Sequence, residues 1–321
     1  MRRAKEDAGA AKSAVQPRKR EARKSKESGA EAVATLPRSK IAISASGKIA
    51  SKVRPIGVFD SGIGGLTVAA ALRELLPAED IFYLGDTARV PYGGKSAATI
   101  ERYSMEISGL LLAEQTKVIV VACNTASALA VPRLRETLKA PVIGVIAPGA
   151  RAAVKSTRNG RIGVIGTRAT IRSRAYETAI QALNPEAQVW SHACPLLVPL
   201  IEEGWLNDPI ADAVIERYLA NLLLHDIDTL VLGCTHYPLL RDALARFAGD
   251  GVVLVDSAHN CALAVQELLK EQQLAAPEGH LGRLQVALTD VSEGFLRVAE
   301  RALGLEVGDV VLRTVQGVSA S

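Results

Sequence analysis

No uninterrupted apolar run in the sequence approaches the roughly 18 residues that a bilayer-crossing helix needs. Charged residues occupy the N-terminal stretch where a secretory signal would carry its apolar core. A cytoplasmic protein without membrane association is therefore expected. Cysteine is scarce: Cys123, Cys194, Cys234 and Cys261 form no CxxC pair and no closely spaced Cys/His group of the kind that holds zinc. The histidines, His192, His225, His236, His259 and His280, are scattered without ligand spacing. Free thiols and no metal are the expectation. The glycine-rich turn Asp60-Ser61-Gly62-Ile63-Gly64-Gly65 does not have GxGxxG spacing, and no acidic residue stands in clear position on a following strand, so a dinucleotide site is not expected.

What is present is unevenly distributed. Residues 1–54 carry 15 Lys or Arg against 5 Asp or Glu, while the remaining residues carry 23 against 29. The body is therefore acidic, although the whole chain has a formal net charge of +4. The leading segment holds one isolated apolar patch, Ile41 to Ile43, and cannot bury enough surface to offset its ordering entropy. It reads as a disordered basic extension whose clusters, such as Arg18-Lys19-Arg20, have the charge to contact nucleic acid, although no recognition motif supports that contact.

From Pro55 onward, short apolar segments alternate with turns and helical stretches. The pattern predicts a strand over residues 56–59, a helix over 66–76, a strand over 81–84, a helix over 96–115 and a strand over 117–121 that leads to Cys123. A second series opens with Arg161-Ile162-Gly163-Val164-Ile165-Gly166 and continues through a helix over 209–224 and a strand over 229–232 to Cys234. Ile56 to Cys123 spans 67 positions and Ile162 to Cys234 spans 72. Such spacing predicts an α/β fold of two related parallel-sheet units with a ligand site in the cleft at the carboxyl ends of the strands. The expected division assigns residues 55–150 and 257–321 to the first domain and 151–256 to the second, with helices over 261–269 and 291–303 returning to the first.

Two segments carry the chemistry, VVACNTAS from Val120 and LVLGCTHYPLL from Leu230. Each places a cysteine after an apolar run and close before a hydroxyl residue, Thr125 or Thr235. Two thiols at the mouths of two equivalent strands can face one cleft and move protons from opposite sides. Cys194 and Cys261 lack such neighbours and are expected as small core hydrophobes. Asp60, ending a strand, also suits a turn or helix cap.

Six segments together resemble the bacterial glutamate racemase family: IGVFDSGIGGLTV from Ile56, YLGDTARVPYG from Tyr83, VVACNTAS from Val120, IGVIGT from Ile162, CPLLVPLIEEG from Cys194 and LVLGCTHYPLL from Leu230. The resemblance covers roughly residues 55–260 and leaves the basic extension outside. It implies a cofactor-independent enzyme that interconverts L- and D-glutamate for peptidoglycan synthesis, built from two pseudo-symmetric α/β domains and expected as a homodimer. It assigns acid/base roles to Cys123 and Cys234, with Asp60 and His236 assisting. It adds Glu202 as a further carboxylate, in a register that its neighbour Glu203 could also fill. Ser61, Tyr92, Gly93, Asn124, Thr125 and Thr235, with Asp60 and His236, are implied to bind the amino acid.

The residues agree with that chemistry. Racemisation removes the α-proton from one face and delivers one to the other, which a single base would do poorly. A free thiol has a pKa of about 8.5, so the site must stabilise one thiolate while its partner stays protonated. No lysine lies inside the six motifs to form a Schiff base with pyridoxal phosphate, which favours a route without that cofactor. Aspartate racemase is the nearest enzymatic alternative, and a binding protein that has lost turnover is the alternative of another class, against which both intact cysteines argue.

Overall fold

Strands buried on both faces should read as unbroken apolar runs, and the central strands do. In the computed structural model, which describes residues 52–290 and 310–315, β1 (Ile56–Asp60), β2 (Ile81–Gly85) and β3 (Val118–Val121) are buried at every position. After β4 (Val142–Gly144), the chain builds β5 (Arg161–Gly166), β6 (Gln188–Ala193), β7 (Thr229–Gly233) and β8 (Val253–Asp256), then β9 (Leu284–Leu288) and β10 (Val310–Leu312). A six-stranded sheet has the order β10-β9-β2-β1-β3-β4, and a four-stranded sheet has the order β6-β5-β7-β8. Every strand pair in both is parallel. The run β2-β1-β3-β4 is repeated by β6-β5-β7-β8, which is the pseudo-symmetry that the matching spacings foretold.

Helices cover the sheets. Leu66–Leu75 and Ser257–Glu271 pack against one face of the larger sheet, where Cys261 is fully buried among Leu66, Leu72, Val120 and Val265. The second of these begins four residues before the sequence expectation. Asp256 caps it by accepting the backbone N–H groups of Ala258 and His259, so Ser257 becomes its first residue. Helix Pro209–Leu223 covers the smaller sheet, in a core that includes Leu230, Leu232 and Cys194.

Strands β4, β6, β8, β9 and β10 were not anticipated. Strand β6 is an edge strand with no fully buried residue, so it has no apolar run to announce it. Strand β9 joins β2 from some 200 residues away, with Ile81 opposite Leu284. The expected disordered extension lies, apart from its last few residues, outside the described residues, and so does the expected helix over 291–303. Among the described residues no helix is long and apolar enough to cross a membrane.

Candidate active site

In both sheets the chain reverses its direction of winding at one place, between β1 and β3 and between β5 and β7, and ligands in such sheets bind beyond the strand ends at that reversal. Register brings the next residues together there. Gly166 pairs with Gly233, so Thr167 and Cys234 leave the second sheet side by side. Phe59 pairs with Val121, and the Cys123 thiol donates to the Ser61 hydroxyl at 3.6 Å. Both cysteines line one cavity of about 280 Å³, with Ser61, Tyr92, Gly93, Asn124, Thr125, Glu202, Thr235 and His236. The two sides meet closely: a Cβ at Gly64 would overlap the His236 ring and the Thr235 hydroxyl, so this turn requires glycine.

Cys123 is the N-cap of the short helix Asn124–Leu129, and its sulfur accepts the Ala126 N–H at 3.5 Å. Burial, reinforced by the negative charge of Asp60, pushes the thiol up to about 12, more than these hydrogen bonds offset. Asp60 does not reach the cavity wall. It is fully buried behind Ser61, where its carboxylate accepts the Gly62 N–H at 3.0 Å and the Thr235 hydroxyl at 3.4 Å. Burial raises its pKa above the ordinary Asp value, although the His236 charge and these donors act the other way.

The other side has the opposite character. Nδ1 of His236 lies 3.8 Å from the Cys234 sulfur, and its Nε2 lies 3.2 Å from Glu202 Oε1. Burial alone would lower the imidazole, but the hydrogen bonds to Cys234 and Glu202 and the charges of Cys234 and Asp60 raise it to about 10. His236 is thus a cation at neutral pH. Glu202 sits at the rim with its side chain 41% exposed, while Glu203 is exposed and makes no contact with His236.

Tyr92 is placed by a buried carboxylate. Its phenol donates to Asp86, which also takes Arg89 Nε at 2.7 Å and the Thr289 hydroxyl at 3.0 Å. With that hydroxyl committed, the 90–94 segment offers the cavity its ring and backbone. Thr125 belongs to a triangle of hydroxyls, 2.9 Å from Thr167 and 3.2 Å from Thr170, which are themselves 3.0 Å apart. Thr167, Arg168, Pro195, Val198 and Pro199 complete walls that sequence reasoning did not name. A signal for Thr167 existed: the threonine ending IGVIGT stands after β5 where Ser61 stands after β1. Cys194 and Cys261 are fully buried. Among the described residues no group of three or more His, Cys, Asp or Glu is placed to hold a metal ion.

Residues 56–265 match the family described as Asp/Glu/Hydantoin racemase. A glutamate racemase of Geobacter metallireducens is 52% identical over 257 residues, covering 80% of this chain and 95% of its own length. Among solved structures, a glutamate racemase isoform from Bacillus anthracis aligns with a TM-score of 0.78 at 40% identity, over 83% of this chain and 98% of its own. Glutamate racemase from Francisella tularensis, solved in complex with D-glutamate, aligns with a TM-score of 0.77 at 38% identity, over 83% of this chain and 99% of its own.

Proposed function

The chain belongs to the Asp/Glu/hydantoin racemase family, and from that membership and the cavity we propose that it interconverts L- and D-glutamate by two-thiol proton transfer without a cofactor. The observation that carries this reading is the pair Cys123 and Cys234, delivered by equivalent strands of two sheets into one small cavity. One sulfur, as thiolate, takes the α-proton from one face of the amino acid. The resulting carbanion takes a proton from the other thiol on the opposite face, which leaves the configuration inverted and the two protonation states exchanged. Reaction in the other direction starts from that exchanged state.

The surroundings support a division of labour. His236, cationic at neutral pH, supplies the counter-charge when Cys234 carries the negative charge. Asp60 lies near Cys123 and is suited to receive or polarise its proton, because its own pKa is raised. Glu202 holds the proton on His236. Ser61, Asn124, Thr125, Thr235 and the backbone at Tyr92 and Gly93 bind the substrate, with a wall that carries few fixed cations. Strong fixed positive charge would stabilise the two carboxylates of the bound substrate as much as the carbanion, and so gain nothing in rate. The reading includes a cytoplasmic homodimer that supplies D-glutamate for peptidoglycan. Its domains divide near residues 150 and 256.

Circular dichroism of the purified chain with L-glutamate, D-glutamate and L-aspartate, in chelator and without added cofactor, tests it. Decay of both glutamate signals towards zero with aspartate unchanged is the expected result. A flat glutamate signal would overturn the assignment, and decay of aspartate alone would move the substrate to the shorter acid.

A further inference from the structure

Asn124 lines the cavity, but its amide is engaged from behind by two groups that no part of the proton-transfer scheme uses. The Tyr176 hydroxyl donates to Asn124 Oδ1 at 2.7 Å, and Asn124 Nδ2 donates to the Ser257 hydroxyl at 3.4 Å. The three groups form a chain in which Tyr176 donates to Asn124 and Asn124 donates to Ser257, an arrangement in which the two bonds polarise one another in the same sense. All three residues are buried, at 2% exposure or less. Burial, as the largest cause, raises the Tyr176 pKa far above the ordinary tyrosine value, so the phenol keeps its proton and remains a donor.

An asparagine amide has two N–H donors. The chain uses one and leaves the other for the cavity that Asn124 lines. The members come from both halves of the molecule. Asn124 follows β3 of the larger sheet, Tyr176 lies on helix Ala175–Leu183 over the smaller sheet, and Ser257 opens the helix that crosses from β8 back to the larger one. A free asparagine side chain rotates and flips its amide, and ordering it would cost binding free energy. Here that cost is met before substrate arrives, and only while the two halves are held together.

We propose that Tyr176 and Ser257 are positioning residues that lock the Asn124 amide with one N–H presented to the substrate's carboxylate, so that tight binding depends on the two halves being closed on each other. The proposal rests on the glutamate reading above. It makes the hydrogen-bonded chain a device for affinity and leaves the proton-transfer step to the thiols.

Tyr176→Phe removes the hydroxyl alone and keeps the ring that packs against Gly149. The purified full chain is compared with Tyr176→Phe, Ser257→Ala, Asn124→Ala and the double variant Tyr176→Phe/Asn124→Ala, by racemisation of glutamate and by calorimetric binding of D-glutamate. Tyr176→Phe is expected to raise KM and Kd about fivefold to tenfold, the effect of one lost buried hydrogen bond, with kcat within about twofold. Ser257→Ala is expected to act in the same direction and by less, across its longer bond. In the Asn124→Ala background Tyr176→Phe should change KM no further. A packing role would instead lower thermal stability with KM unchanged, or give effects that add in the double variant, and either result overturns the proposal. Calorimetry reads this chain of bonds without turnover. A wild-type protein that binds D-glutamate but does not racemise it therefore counts against the racemase reading, while Tyr176→Phe with wild-type Kd counts against the positioning role.

Discussion

The two halves of the cavity share a topology and differ in charge. On the first side, burial and the nearby carboxylate of Asp60 hold the proton on Cys123, against a hydroxyl and a backbone N–H that favour the thiolate. On the second, Cys234 faces an imidazole that Glu202 keeps protonated. Repetition of β2-β1-β3-β4 by β6-β5-β7-β8 explains why two thiols arrive at equivalent places. It does not explain why one meets an anion and the other a cation. Those partners come from residues that break the repeat, Asp60 at the end of β1 and His236 after β7. A racemase needs this inequality, because two thiols in identical surroundings would favour the same protonation state, and the reaction requires one of each.

The largest expected effect removes one side altogether. Cys123→Ser and Cys234→Ser should each lower racemisation by about 10³-fold or more, since a hydroxyl is a far poorer base than a thiolate. The equilibrium constant between enantiomers is unity, so kcat/KM must fall equally in both directions for any variant, and kcat/KM alone cannot tell the sides apart. Solvent deuterium exchange at Cα can. Each variant should retain weak exchange with one enantiomer only, and the two variants with opposite enantiomers, as read by mass spectrometry. Exchange with the same enantiomer in both variants would show that the thiols do not work from opposite faces.

Removing a charge and leaving both thiols should cost less. Asp60→Asn and His236→Asn are each expected to lower kcat/KM about 10²-fold, with kcat depressed more strongly in opposite directions of reaction. The two should also part in stability. The pKa of Asp60 is raised on folding, so the stability it contributes is present below the ordinary Asp value of 3.8 and is lost as pH rises through the folded value. At neutral pH its buried charge is therefore a cost, and Asp60→Asn should not lower the melting temperature even as activity falls. A clear drop in melting temperature would mean that Asp60 is a structural cap in the first place.

Much of this inequality was legible before any coordinates. Strands β1, β3, β5 and β7 announce themselves as apolar runs ended by Asp60, Cys123, Gly166 and Cys234, because strands buried on both faces tolerate little else. Strand β6, half-exposed throughout, and β9, paired to β2 across some 200 residues, were not legible, since their places depend on contacts that local pattern does not encode. The same divide runs through the cavity. Thiols stand out by rarity. Tyr176 and Ser257 do not, because a tyrosine on an amphipathic helix and a serine at a helix start are ordinary until Asn124 is found between them. Thr167 likewise reads first as an N-cap, which it is, its hydroxyl accepting the Thr170 N–H at 3.2 Å, and the register of β5 with β7 shows that it also reaches the cavity.

The smallest effects sharpen the cationic side. His236 is raised to about 10, so its imidazolium is present below that value and is lost as pH rises through it, and activity that needs the cation should fall over the same interval. Substrate amine titration also shapes an alkaline limb, but it is the same for every variant. Glu202→Gln removes the carboxylate that holds the proton at Nε2, so the limb should move to lower pH, while the rate at pH 7 falls by less than about tenfold because this rim carboxylate is partly solvated. Glu203→Gln, one residue along and exposed, should leave the pH–rate profile unchanged. If instead Glu203→Gln moved the limb and Glu202→Gln did not, the carboxylate that serves His236 would be the next residue in the chain, and the helix Leu197–Glu202 would have to end in a different turn from the one described.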